Sequence, residues 1–276
     1  MSVPAPSFAG ARVALLESRL ADETAALVRR LGGHPISAPA VAEIEIDAHD
    51  QIDALIDRLA LAPASIVVFL TGAAVTRVFA TAERLGRAAA LQHGLGHARL
   101  VARGPKPTGA LARRGLMHVH PVAEPFTTAD VIAAIQDLPT DQQSATIVHY
   151  GERNEAIVNA LHSRGLQVFE LTVYEWRLPA DVAPLSTAID ALIAGEIPVL
   201  AFTSQIQVRH LFEVAGRRRA ALLHALDSRV LVGAVGPTCA AACSGAGMHD
   251  VITPHHPKLY PLLQSLAQAW TTRSHE

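Results

Sequence analysis

The sequence predicts an α/β protein built from two similar parallel-sheet domains joined by a two-stranded β connector. Three observations carry this. Short β-rich runs alternate with helical segments along the chain, the pattern of parallel strands linked by crossover helices. Two segments depart from it by alternating polar and apolar residues, as strands with one wet face do. An internal repeat relates the middle of the chain to its C-terminal part.

In chain order, Arg12 to Leu16 (RVALL) reads as a first strand. Ala21 to Leu31 has apolar residues at helical spacing and stops at Gly32-Gly33, a helix C-cap signal. His34 to Ala38 is a short extended piece. Val41 to Ile46 (VAEIEI) and Glu170 to Trp176 (ELTVYEW) are the two alternating segments, expected to pair as an exposed connector. Between them the strands are Ile66 to Leu70, Arg99 to Arg103, His118 to Val122 and Thr146 to Tyr150. Helices Ala73 to Leu85, Thr128 to Leu138 and Glu155 to Arg164 fill gaps between them. The pattern then resumes with strand Val199 to Phe202, a helix through Phe212, strand Val230 to Val235, a helix to Gly245, strand Asp250 to Thr253 and a final helix to Trp270. The first domain is therefore expected at 1–37 and 180–276, the second inserted at 49–167, and the connector at 38–48 and 168–179.

The repeat aligns Phe69-Leu70-Thr71-Gly72-Ala73-Ala74-Val75 with Phe202-Thr203-Ser204-Gln205-Ile206-Gln207-Val208. In both copies an apolar strand runs into a hydroxyl residue and then a helix. Gly104-Pro105 and Gly236-Pro237 each follow a strand and open an Ala-rich helix ending at Gly115 or Gly247. The period exceeds that of a solenoid and reads as two related domains.

Composition fits and narrows this. The chain has 276 residues, enough for two cores, with 50% hydrophobic and only 17% charged residues, so disorder is excluded. Aromatics at 4% favour helices on buried strands over a β sandwich. A net charge of -2 offers no basic excess for nucleic acid or a membrane surface. Two cysteines, Cys239 and Cys243, exclude a disulfide scaffold and are expected as small buried hydrophobes. No apolar run reaches 18 residues, and Met1 to Gly10 lacks the features of a signal peptide. A cytoplasmic monomer is expected.

Ligands of parallel sheets sit outside the carboxyl ends of the strands, where helices begin. Turns Leu70 to Ala73, Arg103 to Thr108, Tyr150 to Asn154, Thr203-Ser204 and Gly236 to Cys239 each offer free N–H groups with a hydroxyl, amide or base, a set suited to several carboxylates. Arg103, Lys106 and Arg153 are the candidate cations. No G-x-G-x-x-G follows a strand, so neither a dinucleotide nor ATP has a visible seat, and no cofactor is expected. Tyr174 can donate a proton or serve as a packing aromatic beside Trp176; position alone favours packing. His118 and His120 share a strand face without a third metal ligand nearby. His255-His256 and Arg217 to Arg219 read as solvated, and no G-x-S-x-G elbow is present.

Taken together, Phe8 to Val13 with its helix, Tyr150-Gly151, Leu171-Thr172-Val173-Tyr174, Phe202-Thr203-Ser204 and Val235-Gly236-Pro237-Thr238 resemble the uroporphyrinogen-III synthase family, in order and over nearly the whole chain. The resemblance implies two flavodoxin-like α/β domains joined by a β-ladder, and a cofactor-free reaction. In it hydroxymethylbilane loses its terminal hydroxyl, its last pyrrole ring is inverted through a spiro intermediate, and the macrocycle closes. It implies Tyr174 as the catalytic tyrosine and Thr238 as a substrate threonine. The substrate-binding set is then Thr71, Arg103, Gly104, Lys106, Thr108, Tyr150, Gly151, Arg153, Asn154, Thr203, Ser204, Gly236, Pro237 and Thr238, with a linear tetrapyrrole as the small-molecule partner. The chain departs from the family at Leu16-Glu17-Ser18, where Thr-Arg-Pro is frequent, and at Pro107 and Cys239, where threonine is frequent. These departures favour the alternative, a non-catalytic tetrapyrrole- or small-ligand-sensing regulator of the same fold.

Overall fold

Each half of the fold is a parallel sheet with an apolar layer on both faces, and the pattern of buried strands explains why. Runs such as IVVF and VLAF are buried at every position, so their sheets must be covered on two sides. The structure is a computed structural model that describes residues 5–18, 21–62, 65–139 and 141–273. The first four residues, part of the stretch read above for a targeting signal, lie outside them. Among the described residues no helix is long and apolar enough to cross a membrane.

The chain divides into two compact units, one of residues up to Ala42 together with those from Arg177, the other Glu43–Trp176. Unit 1 opens with β1 (Arg12–Leu15), α1 (Ala21–Arg30) and β2 (His34–Ser37). Unit 2 follows, its first strand β3 starting one residue before the division: β3 (Ala42–Glu45), α2 (His49–Leu61), β4 (Ile66–Phe69), α3 (Gly72–Arg84), α4 (Ala88–His97), β5 (Arg99–Ala102), α5 (Pro105–Ala112), β6 (Val119–His120), α6 (Thr128–Gln136), β7 (Ser144–Gly151), α7 (Glu155–Ser163) and β8 (Gln167–Arg177). Unit 1 resumes with α8 (Ala183–Ala194), β9 (Val199–Phe202), α9 (Gln205–Ala215), α10 (Arg219–Ser228), β10 (Leu231–Ala234), α11 (Pro237–Ala246), β11 (Val251–Ile252) and α12 (Leu259–Arg273).

The sheet of unit 1 runs β11-β10-β9-β1-β2 with parallel pairing between neighbours. Counted within the unit this is the order 2-1-3-4-5, the flavodoxin-like arrangement. Unit 2 runs β3-β8-β7-β4-β5-β6, and its strands from β8 to β6 are parallel. In both units the strand order reverses beside the first parallel strand, between β1 and β9 and between β4 and β7. Leu185, Ile189, Leu200, Phe202, Leu211 and Cys243 fill one face of the first sheet, and Val13, Leu15, Val199, Leu262 and Leu266 the other. In unit 2, Ile52, Leu55, Val67, Phe69, Val78 and Tyr174 oppose Ile66, Val68, Val101, Ile147 and Leu161 across the sheet. Cys239 and Cys243 are free and buried, as small apolar residues of α11.

The two alternating segments are neighbours, β3 beside β8, but the pair is not free-standing. The other edge of β8 pairs with β7 from Ser144↔Gln167 to Gly151↔Glu175. The alternation in β8 belongs to a strand one in from the sheet edge: Leu171 and Val173 are buried and Glu170 and Thr172 half-buried, while Tyr174 breaks the period by being buried as well. Strand β6 is shorter than the expected 118–122. Helices α2, α4, α8 and α10 complete the layers. The burial of Ile52, Leu55, Ile56 and Leu59 gives α2 its apolar stripe.

Candidate strand-end site

Every expected site residue lies at a strand end or helix start, and each unit carries its own set. In unit 2 the centre is Tyr174. Its ring is 2% exposed and its hydroxyl lies 3.0 Å from Thr71 Oγ1. Thr71 is extended and caps α3, accepting the Ala74 N–H at 3.1 Å, so one lone pair of its hydroxyl is engaged and its proton remains to be given. The Arg77 guanidinium sits over the Tyr174 ring, 4.6 Å from the centroid, and pairs with Glu43. Burial pushes the Tyr174 phenol above its ordinary range. The Thr71 hydrogen bond opposes this, Glu43 adds to it, and Arg77 and Arg103 work against it.

An aromatic row continues from Tyr174. Trp176 lies 6.5 Å from Tyr174 and meets Tyr150 edge-on at 5.4 Å, and Arg103 stacks over Tyr150 at 4.0 Å. A guanidinium stacked by its face keeps its N–H edge for a carboxylate. Gly151, at φ +68°, lets Trp176 lie against its backbone; a Cβ there would be 2.1 Å from the indole. Gly104, at φ +83°, turns the chain from β5 into α5 against Phe126. Lys106 is exposed on α5, and its carbonyl packs on Gly72, where a Cβ would come within 2.9 Å. The Thr108 hydroxyl bonds back to the Gly104 carbonyl at 2.9 Å.

Beside this row stands a polar chain. Arg153 grips Glu170 through Nε (2.7 Å) and Nη2 (2.8 Å). Buried His149 receives the Asn154 N–H on Nδ1 at 3.3 Å, which leaves its proton on Nε2 to donate to Glu170 at 2.9 Å. The Asn154 side chain caps α7 and donates to Thr128 at 3.1 Å. Burial holds His149 below the usual histidine range against the pull of Glu170, and the Arg153 bond holds Glu170 below the usual carboxylate range.

In unit 1, Gln207 closes the β9–α9 turn. Its Oε1 accepts the N–H groups of Thr203 (2.8 Å) and Ser204 (3.3 Å), and a capping box joins it to Ser204. Glu17 accepts from the Thr203 hydroxyl and from Gln207 Nε2 at 3.1 Å. The Glu17 carboxylate is thus bonded to the turn. Gly236 opens α11, with Pro237 and Thr238 exposed and Cys239 buried behind them.

The residues missed from sequence are Arg77, Glu43, His149, Glu170, Trp176 and Gln207. His149 carries the one legible signal, a titratable residue in an otherwise apolar strand run (TIVHY). The others depend on contacts between elements. A groove of about 520 Å³ by Arg209, Phe212 and Arg219 and one of about 380 Å³ by His93 and His97 contain none of the expected site residues. Among the described residues no His, Cys, Asp or Glu cluster could hold a metal ion.

A family model described as "Uroporphyrinogen-III synthase HemD" matches residues 22–264. A selenomethionine-labelled mutant of the uroporphyrinogen III synthase of Thermus thermophilus is 28% identical. It superposes with a TM-score of 0.77 over 95% of this chain and 100% of its own. The wild-type Thermus enzyme in a second crystal form is 29% identical, with a TM-score of 0.59 over 96% of this chain and 100% of its own. A Bacillus subtilis protein, "Uncharacterized protein YjjA", is 25% identical over 263 residues, 94% of this chain and 96% of its own.

Proposed function

Because the chain belongs to the uroporphyrinogen-III synthase family, we propose that it closes hydroxymethylbilane into uroporphyrinogen III, inverting the last pyrrole ring with loss of water, as a step of porphyrin synthesis. The observation that carries the reading to this chain is Tyr174 with its hydroxyl on Thr71 at the strand ends of unit 2. The departing substrate hydroxyl needs a proton to leave as water. A buried phenol keeps its proton at neutral pH, and with Thr71 donating to its oxygen the phenol O–H is left to point at the leaving group. Loss of water leaves a cationic pyrrole methylene, which the inverting ring attacks; the proton released on closure returns to the phenolate.

Most of the acceleration in this reading comes from holding the two chain ends together. Arg103, Lys106 and Arg153 of unit 2 grip the acetate and propionate arms. No cofactor takes part. A second reading, a ligand sensor of the same fold, draws on Glu17: its bond to Thr203 occupies a hydroxyl the enzyme reading assigns to substrate. Ring closure of hydroxymethylbilane, with the type III product separated from the spontaneous type I product, tests the choice. Type III product well above background is expected; binding without it leaves the sensor.

A further inference from the structure

We infer that Arg77, held by Glu43, is a positioning residue for Tyr174: it fixes the phenol against Thr71 and eases proton transfer from it. The inference rests on Tyr174 as the proton donor proposed above. Three separate elements converge on this one side chain. Glu43 comes from β3, Arg77 from α3, and Tyr174 from β8. Arg77 and Glu43 are only 24% and 23% exposed, so the pair is held more firmly than a surface ion pair and the cation is partly desolvated. The guanidinium lies over the ring face, where the negative quadrupole of the arene attracts a cation. That attraction grows as the phenol loses its proton and the ring becomes richer in charge.

The other groups facing Tyr174 sort by sign. Burial and the Glu43 carboxylate favour the neutral phenol; the Thr71 hydrogen bond, Arg77 and Arg103 favour the phenolate. Arg77 is the cation that touches the ring, while Arg103 stacks on Tyr150. A carboxylate on the far side of Arg77 restrains the guanidinium so that the ring does not have to hold it alone. Arg77 does not touch substrate in this scheme. It acts through Tyr174.

The test uses the full chain with 13Cζ-labelled tyrosine. The protein has three tyrosines, and Tyr174→Phe assigns the Tyr174 signal. In Arg77→Gln the Tyr174 signal should titrate at higher pH than in wild type, and Arg77→Lys should recover most of the difference because it keeps the charge. Single-turnover ring closure should fall roughly tenfold in Arg77→Gln with affinity for hydroxymethylbilane unchanged, since one partly desolvated cation–π contact has about that worth. Should Arg77→Gln not fold, Arg77→Met removes the same charge with an apolar stem. Titration of Tyr174 at the same pH in wild type and charge-free variant overturns the inference. A moved titration with an unchanged rate overturns Tyr174 as proton donor. A wild type that forms no type III product sinks the enzyme reading instead, and the titration still decides whether Arg77 governs Tyr174.

Discussion

The strand ends of the two units begin from aligned sequence and finish differently. In unit 2, Thr71 caps α3 and turns its hydroxyl to the Tyr174 phenol. In unit 1 the aligned Ser204 shares its capping with Gln207, and Thr203, aligned with the buried Leu70, donates to Glu17. One edge carries an aromatic row flanked by cations. The other carries a closed knot of amide, hydroxyl and carboxylate. A repeat preserves the backbone device, a hydroxyl at a helix start, because every helix must satisfy its first N–H groups. It does not preserve what that hydroxyl faces, because the facing residue comes from another strand.

The largest expected effect tests the glycines of the two edges. Gly151→Ala forces a side chain into a left-handed backbone and into Trp176, and should cost about 3 kcal/mol or more by urea titration. Gly236 is extended, at φ -176°, and its Cβ would meet only the Pro257 ring edge at 3.0 Å. Gly236→Ala should therefore stay within about 1 kcal/mol of wild type. Similar losses at both positions would break the distinction between the two edges. Gly104, which the repeat aligns with Gly236, should resemble Gly151 instead, with a loss of about 1–3 kcal/mol on Gly104→Ala, because its φ is +83°.

Tyr174→Phe comes next. It keeps the ring and its packing, so the melting temperature should move little, while single-turnover ring closure should fall by roughly 10²-fold or less. Equal rates would reduce Tyr174 to the packing aromatic that its place beside Trp176 suggests.

Smaller again is the pH response of the polar chain. A histidine whose folded pKa lies below its unfolded value binds a proton more readily when unfolded, so stability falls as pH drops below about 6.5 and levels off beneath the folded value. One such proton contributes a slope of at most ~1.4 kcal/mol per pH unit. His149→Gln should flatten the stability profile between neutral and mildly acid pH. The same slope in wild type and variant would locate the response in other histidines.

The smallest effect is expected at Glu17. Its carboxylate already accepts from Thr203 and Gln207, so Glu17→Gln should change affinity for a polycarboxylated tetrapyrrole by roughly threefold or less. A much larger gain would show that its charge acts on the ligand and would favour the sensor reading.

The sequence by itself determined the alternation of strands and helices, the buried strands at 66–69 and 199–202, the glycine stops and the strand-end turns that hold the expected site. These are local facts: side-chain period, capping and permitted φ are settled by residues a few positions apart. Tertiary structure alone decided that β8 would extend the sheet of unit 2 beyond a free pair with β3, and that Gly104 and Gly236 would adopt different backbones. It also brought Thr71 to Tyr174, 103 residues apart, and Arg77 to Glu43, 34 apart. Those contacts follow from the order of the strands and from the helices packed on them, which set residues distant in sequence side by side. No short-range pattern encodes which side chain will stand opposite another across a sheet.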